Sequence, residues 1–554
     1  MKLTKKFQSL FLYDLYFLLK NKKVNSIILI FLIFLNLFML TVDLKMHVNS
    51  SDRATDYYNS CLLSKGAKLN QEFQTVFPGI VLFHALFFKL FPNINYLGLK
   101  MIGAIYMLVF MLIILFFINK ISKKFKISEY KRFLINIALL SISFYLKYGV
   151  ELYYDNAPLL FLSLIALCMY TNKNIALFFI GVNIGLLVLI KETYILLVPF
   201  FIIYLLFKKL KLTENHTGKN VLIILSGLFI PIVLFLIYLI WIGSMGNTMK
   251  IYLLHANQLG YENKILAILK NFLFLLPGIL FIFLSIQLFL RRKLALIPIT
   301  WISYLFLFKY LKSGNISIEY AIVTIILGIL IFIGIRLKRG ISKYNLFLIF
   351  IIFAFITPMG SRSRFPALMM SISFMIPIIS IYLFQLKLKR FFILAVLPFI
   401  LLFSYLQIKT IIHPIFNLKP QYVKYSIAKL KGIYDLKDKV NQIEQISIKM
   451  NGYITQKEYC LIYSKSSIYY WLAENIIPAI PKVDLETAYS YKWINFNYQY
   501  MIEHKQIPNI VFLEAVFDKE DKRNHLITFI RKNYFCVNKL DIFNVYEHSD
   551  RKTR

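Results

Sequence analysis

The sequence is short of acid, cysteine and tryptophan. Of 554 residues only 27 are Asp or Glu, against 64 Lys or Arg, and charged residues of both signs make up only 16%. A soluble chain of this length would fold as three or four domains and carry about a quarter charged residues, so an ordinary soluble protein is excluded. Cys61, Cys168, Cys460 and Cys536 form no CxxC pair and are too few for a disulfide framework. No P-loop, GxGxxG turn, HExxH helix or EF-hand loop occurs, which argues against nucleotide-driven chemistry. Neither an internal repeat nor a low-complexity tract is present.

What is abundant is apolar surface: 59% hydrophobic and 17% aromatic residues, with a mean hydropathy of +0.65. These values predict a polytopic α-helical membrane protein. The net charge of +37 would suit a nucleic-acid binder, but its distribution says otherwise. Residues 1–410 hold 43 basic and 12 acidic residues, and residues 411–554 hold 21 and 15. Apolar runs give about 13 spans, near 24–42, 97–118, 133–149, 157–171, 175–190, 193–207, 220–242, 266–290, 294–310, 319–335, 344–358, 366–386 and 391–409. Every second connection is basic. Together with the N-terminal segment these connections hold 27 of the 43 basic residues, so the excess orients the chain and contacts anionic membrane lipids, and no nucleic acid is needed to explain it.

The expected organisation has three parts. Residues 1–23 read as a cytoplasmic amphipathic helix, 24–410 as a transmembrane module with a large first outer loop at 43–96, and 411–554 as an extracytoplasmic α/β domain. Within the first outer loop, 76–91 reads as a helix lying at the outer surface, and 243–265 reads as a further long outer loop. In the α/β part, strand-like segments at 459–464, 509–517 and 543–548 alternate with helix-like ones such as 436–450. Its aromatic segments around Trp471 and Trp493 suit either a core or sugar stacking, and Cys460 and Cys536 suit either a disulfide or two buried thiols.

Carboxylates are expensive near lipid, so the few in the membrane part carry information. Six fall in two outer loops, among them Asp52 and Asp56 in the first and Glu151 and Asp155 in the second. A helix starting near Ser50 or Ser51 puts Asp52 and Asp56 one turn apart on one face. Such a pair can split its proton affinities and leave one carboxylate as a base or metal ligand, or it can simply complement the helix dipole. Asp155, just before Asn-Ala-Pro, suits a helix cap or a catalytic acid.

The ordered set of Asp52, Gly66 fourteen residues on, an apolar helix from Pro78, Asp155 before the fourth span and Lys191 in GLLVLIKETYILLVPF resembles the GT-C glycosyltransferases that use polyprenyl-phosphate sugars. Within that superfamily the chain looks most like the aminoarabinose transferase and protein O-mannosyltransferase type, chiefly over residues 25–210. Thirteen spans with an exterior C-terminal domain match as well. One departure is Arg53, where many members have a second acid, which leaves the choice between Asp52 and Asp56 open.

The resemblance implies a GT-C fold in the cell membrane and transfer of a sugar, with inversion, from a polyprenyl-phosphate donor to an envelope glycan, lipid or protein. Asp52, Asp56 and Asp155 are the expected catalytic residues, Asp52 first as base. The phosphate leaving group needs positive charge, which Lys191, Arg362 and Arg364 are placed to supply. Glu151, His255 and Tyr57 are candidates for lining the acceptor cavity. A divalent metal held by Asp52 and Asp155 is left open. The competing functions are a lipid-linked glycan transporter or flippase and a non-catalytic envelope polysaccharide protein; carboxylates in loops instead of at the bilayer midplane argue against the transporter.

Overall fold

The computed structural model describes residues 22–48, 52–76, 78–124, 126–129, 131–136, 151–152, 156–169, 174–199, 201–202, 217–259, 381, 422–454, 457–482, 491–519 and 521–549. All but the last two residues of the N-terminal helix expected at 1–23, most of the span expected near 133–149 and, apart from Ile381, the spans expected from 266 to 409 lie outside the described residues.

Helix α1 runs from Lys22 to Lys45 and exposes Ile27, Ile30, Phe31, Phe34, Leu37 and Phe38. Thr41 returns its hydroxyl to the Leu37 carbonyl at 2.8 Å, which satisfies a polar group on an apolar helix. The first loop then forms two shorter helices, α2 (Asp52–Ser64) and α3 (Pro78–Leu90). Gly66 follows α2 at φ +94. Its N–H donates to the Leu63 carbonyl and that of Ala67 to Leu62, the left-handed cap that only glycine adopts without strain. The fourteen-residue interval from Asp52 to Gly66 is therefore the length of α2 plus its cap.

Helices α4 (Tyr96–Lys124), α5 (Pro158–Met169), α6 (Asn174–Ile190) and α7 (Thr217–Trp241) follow. Residues 96–123 and 218–241 are long and apolar enough to cross a membrane. On α4 the positions Met107, Phe110, Ile114, Phe117 and Ile121 are buried against protein, while Ile105, Leu112 and Phe116 are exposed. Apolar side chains on both faces suit a helix with protein on one side and lipid on the other. Helices α6 and α7 cross at glycines: a methyl added at Gly185 would stand 2.6 Å from the Leu228 carbonyl oxygen, and those at Gly181 and Gly227 would stand closer still to the opposing backbone.

Two expectations change here. Residues 243–265 do not simply loop, because Met245–Leu259 forms helix α8. Helix α3 is more than a surface element: Pro78, Ile80, Val81, His84, Ala85 and Phe88 are buried, and Gly79 lies against the backbone of Leu189 and Ile190 on α6.

The C-terminal α/β region begins with the antiparallel pair β1 (Tyr422–Lys424) and β2 (Tyr434–Leu436), followed by α9 (Lys437–Tyr453). The remaining elements are β3 (Glu458–Tyr463), α10 (Ile468–Leu472), β4 (Ile476–Pro478), α11 (Tyr491–Glu503), β5 (Ile510–Glu514), α12 (His525–Asn533), β6 (Tyr534–Leu540) and β7 (Phe543–His548). The sheet order is β4-β3-β5-β7-β6, with β4, β3 and β5 parallel and the other pairs antiparallel. Side chains alternate between two cores. Leu461, Tyr463, Val511 and Leu513 face α11 and α12, while Cys460, Ile462, Ile510 and Phe512 face the other way.

That second core does not end at the sheet: Ala54, Tyr57, Tyr58, Tyr96 and Leu99 belong to it. Ile468, Tyr469, Tyr470, Trp471 and Leu472 are buried in it, and Trp493 is buried as well, so these aromatics fill core. Cys460 is a buried thiol and Cys536 an exposed one. Their strands β3 and β6 are separated by β5 and β7, roughly 14 Å at normal strand spacing, too far for a disulfide.

Candidate functional site

Helix α2 organises the site because it carries two polar stripes. Asp52 opens the helix, Asp56 lies one turn on, and Asn59 continues the same stripe a second turn on. Asp56 is partly exposed. Asn59 is buried and donates from Nδ2 to the Gln74 carbonyl at 3.2 Å.

The neighbouring face carries Arg53 and Tyr57, and both are buried. Arg53 Nη1 donates to Glu151 Oε2 at 2.5 Å. The other carboxylate oxygen accepts from the Tyr96 hydroxyl at 2.5 Å and lies 3.6 Å from Lys100 Nζ. Lys100 also donates to the carbonyls of Met46 and His47, at 2.6 and 3.0 Å. Asn156 Nδ2 closes the second loop onto the Glu151 carbonyl at 2.8 Å. One buried carboxylate thus ties together the end of α1, the start of α2, the start of α4 and the second loop. It survives burial because two cations and a phenol surround it.

Aromatic rings wall this cluster. Tyr57 meets His84 at 5.0 Å, Tyr96 at 5.5 Å and Trp471 of the α/β region at 6.1 Å between ring centroids. Burial, and then the charge of Glu151, hold the Tyr57 hydroxyl well above its ordinary range, with Arg53 opposing and Asp56 adding to the rise. Burial alone pushes the His84 imidazole down to about 3, so it is neutral at any physiological pH.

The α/β region closes over the first loop through polar contacts as well. Thr55 Oγ1 donates to Ser467 Oγ at 2.7 Å, the Gln74 N–H donates to the Pro481 carbonyl at 2.8 Å, and the Tyr500 hydroxyl donates to the Gln71 carbonyl. At the start of the loop, buried Asp435 is paired with Lys439 at 2.8 Å and His47 at 2.9 Å, and accepts from the Val48 N–H at 3.1 Å. Burial would raise the Asp435 carboxyl, but its hydrogen bonds from His47 and Lys439 outweigh that and hold it well below the usual carboxylate range.

Of the residues singled out from sequence, Asp52, Asp56 and Tyr57 lie on α2, and Glu151 pairs with Arg53 of the same helix. Lys191, only 1% exposed, lies at the junction between α6 and the 3-10 turn Glu192–Leu196, directly after Ile190, which packs with Ile80, Leu152 and Ala157. His255 is near the end of α8, with its ring 6.5 Å from Trp493. Asp155, Arg362 and Arg364 lie outside the described residues. Among the described residues no group of three or more His, Cys, Asp or Glu could hold a metal ion, and Asp155 of the expected metal pair lies outside them.

Sequence reasoning leaves out Tyr96 and Lys100 and sees Arg53 only as a missing acid. The available signal was charge: Arg53 and Lys100 are cations on the side of the membrane where the topology predicts few, and such cations need a buried partner.

No protein-family model matches the chain, and no curated protein matches it. Among solved structures it is similar to archaeal oligosaccharyltransferase AglB from Archaeoglobus fulgidus, a GT-C family member solved in complex with an inhibitory peptide and a dolichol-phosphate. The identity is 13% and the TM-score 0.41, over 94% of this chain and 74% of that one. A likeness of that size transfers neither an activity nor the role of any residue.

Proposed function

We propose that the chain is an integral membrane glycosyltransferase that moves a sugar from a polyprenyl-phosphate donor to an acceptor at the outer face of the cell membrane, with inversion. The observation that carries this is the Asp52–Asp56 stripe on a helix whose neighbouring face is locked, through Arg53 and Glu151, to the second loop. Two acids in a fixed frame beside apolar helices suit a reaction that joins a lipid-borne donor to a polar acceptor. The motif resemblance over residues 25–210 points the same way.

In the proposed step the acceptor oxygen bonds to the anomeric carbon as the bond from that carbon to the phosphate oxygen breaks. The phosphate leaves with the electron pair, and the acceptor proton passes to Asp52, with Asp56 the second candidate. Attack from the face opposite the phosphate inverts the anomeric centre. Lys191, Arg362 and Arg364 are proposed to hold the phosphate, because a leaving group that is already an anion needs fixed positive charge and no acid. Asp155 is proposed to orient the acceptor. The transmembrane module is taken as 24–410 and the extracytoplasmic unit as 411–554.

Purified protein incubated with labelled polyprenyl-phosphate sugars and membrane extract tests this directly. Wild-type protein is expected to form new glycosidic bonds, and Asp52→Asn to lower the rate about 10²- to 10⁴-fold, the usual contribution of a positioned base. Loss only in Asp56→Asn would move the role there. Movement of labelled lipid across vesicles with no new glycosidic bond would reject the transferase in favour of a transporter.

A further inference from the structure

The Arg53–Glu151 pair has a place in the fold that neither residue reveals alone. Arg53 follows Asp52 directly, and Glu151 precedes Asp155 by four residues, so the pair joins the two short segments that hold the proposed acids. Its geometry is built. The guanidinium and carboxylate are 6% and 8% exposed as side chains and 2.5 Å apart. Tyr96 and Lys100 fix the far oxygen of the same carboxylate from the first turns of α4, and Asn156 fixes the Glu151 backbone. A side chain clamped this way sets the rotation of the first turn of α2, and so the direction of the stripe that starts at Asp52.

Resting on the transfer reaction proposed above, we infer that Arg53 and Glu151 are positioning residues, a buried strut that holds the first turn of α2 against the second loop and so sets the direction of the carboxylate stripe. Misplacement of a reacting group by about 1 Å can cost on the order of 100-fold in rate, so the strut acts on turnover more than on binding.

The test compares Arg53→Gln, Glu151→Gln and the double variant, as full-length protein in detergent, using tritium-labelled polyprenyl-phosphate hexose and pentose with membrane extract. Each single variant that keeps its thermal transition is expected to lose at least tenfold in kcat, with KM for the donor within about twofold of wild type. The double variant is expected to be no slower than the worse single, because both changes break one strut. Wild-type kcat in a folded single variant, or losses that multiply in the double, overturns the inference. If the glutamine variants do not fold, Arg53→Lys and Tyr96→Phe take their place, and full kcat in both overturns it. Asp52→Asn and Asp56→Asn run alongside. If both transfer at the wild-type rate, the base assignment fails and the strut with it. If one is inactive while the strut variants are unaffected, the strut alone is wrong.

Discussion

His84 sits fully buried on α3, and neither ring nitrogen has a hydrogen-bond partner among the described residues. A buried polar group left unpaired costs about 1–3 kcal/mol, so His84→Phe, which keeps the ring and removes the nitrogens, is expected to raise the melting temperature. A fall would mean that His84 has a partner, such as a buried water or a ligand. The pH dependence has a definite sign. With a folded value of about 3 against the ordinary 6.5, the unfolded chain binds this proton more readily. His84 therefore leaves stability unaffected above about 6.5 and lowers it progressively as pH falls from there toward 3. Thermal melts across that range should show the loss in wild type and not in His84→Phe. The cysteines give a second check at this scale: iodoacetamide is expected to label exposed Cys536 in the folded protein and buried Cys460 only after denaturation. A bond between the two would contradict the strand order.

Helices and strands were legible wherever local pattern decides them. The β3, β5 and β7 segments are runs of β-branched, aromatic and aliphatic residues at 459–464, 509–517 and 543–548, and the structure has strands there. Helix α8 was hidden because Gly246, Asn247 and Thr248 read as loop residues, and because a search for spanning helices passes over an amphipathic one. Its buried positions Thr248 and Ile251 nevertheless follow helical spacing. The α6–α7 crossing has its own signature, glycines four apart at 181 and 185 opposite Gly227. Gly185→Val is expected to cost about 1–3 kcal/mol and lower the melting temperature. Gly218→Ala, where an added methyl meets nothing within 4 Å, is the matched control and should change it little. Equal melting temperatures would show that the crossing loosens without loss.

Taken whole, the protein is less separable than its sequence suggests. The compositional change near residue 411 marks a boundary in the chain, yet the core of the α/β region takes in Ala54, Tyr57 and Tyr58 from the first loop. No local pattern foretells that union, because the contacts join residues about 400 positions apart, such as Thr55 with Ser467. For the same reason the candidate site was half legible: Asp52 and Glu151 stood out as rare acids, whereas the Arg53–Glu151 pairing spans 98 positions. Asp435 tests the union. Asp435→Asn removes the charge that holds His47 and Lys439 and is expected to cost about 2–3 kcal/mol, kept modest by the partial exposure of both partners. Because the folded carboxyl lies below its ordinary value, the wild-type advantage is full above pH of about 4 and disappears as pH falls below it. Melting curves of the two proteins should converge there, and an offset that persists at low pH would point to lost shape instead of lost charge.

The shared core also sets a timetable for biogenesis. Ala54 and Tyr57 are buried in the same cluster as Phe543 and Val545, so the ribosome must add close to 500 further residues before the helix holding Asp52 gains its last neighbours. At about 5–20 residues per second that wait is roughly 25–100 s. Through this interval the aromatic side of the helix stays uncovered. A nascent chain of this kind is a natural client for a chaperone, and an early stop codon anywhere before β7 would spoil the front of the protein as surely as its end.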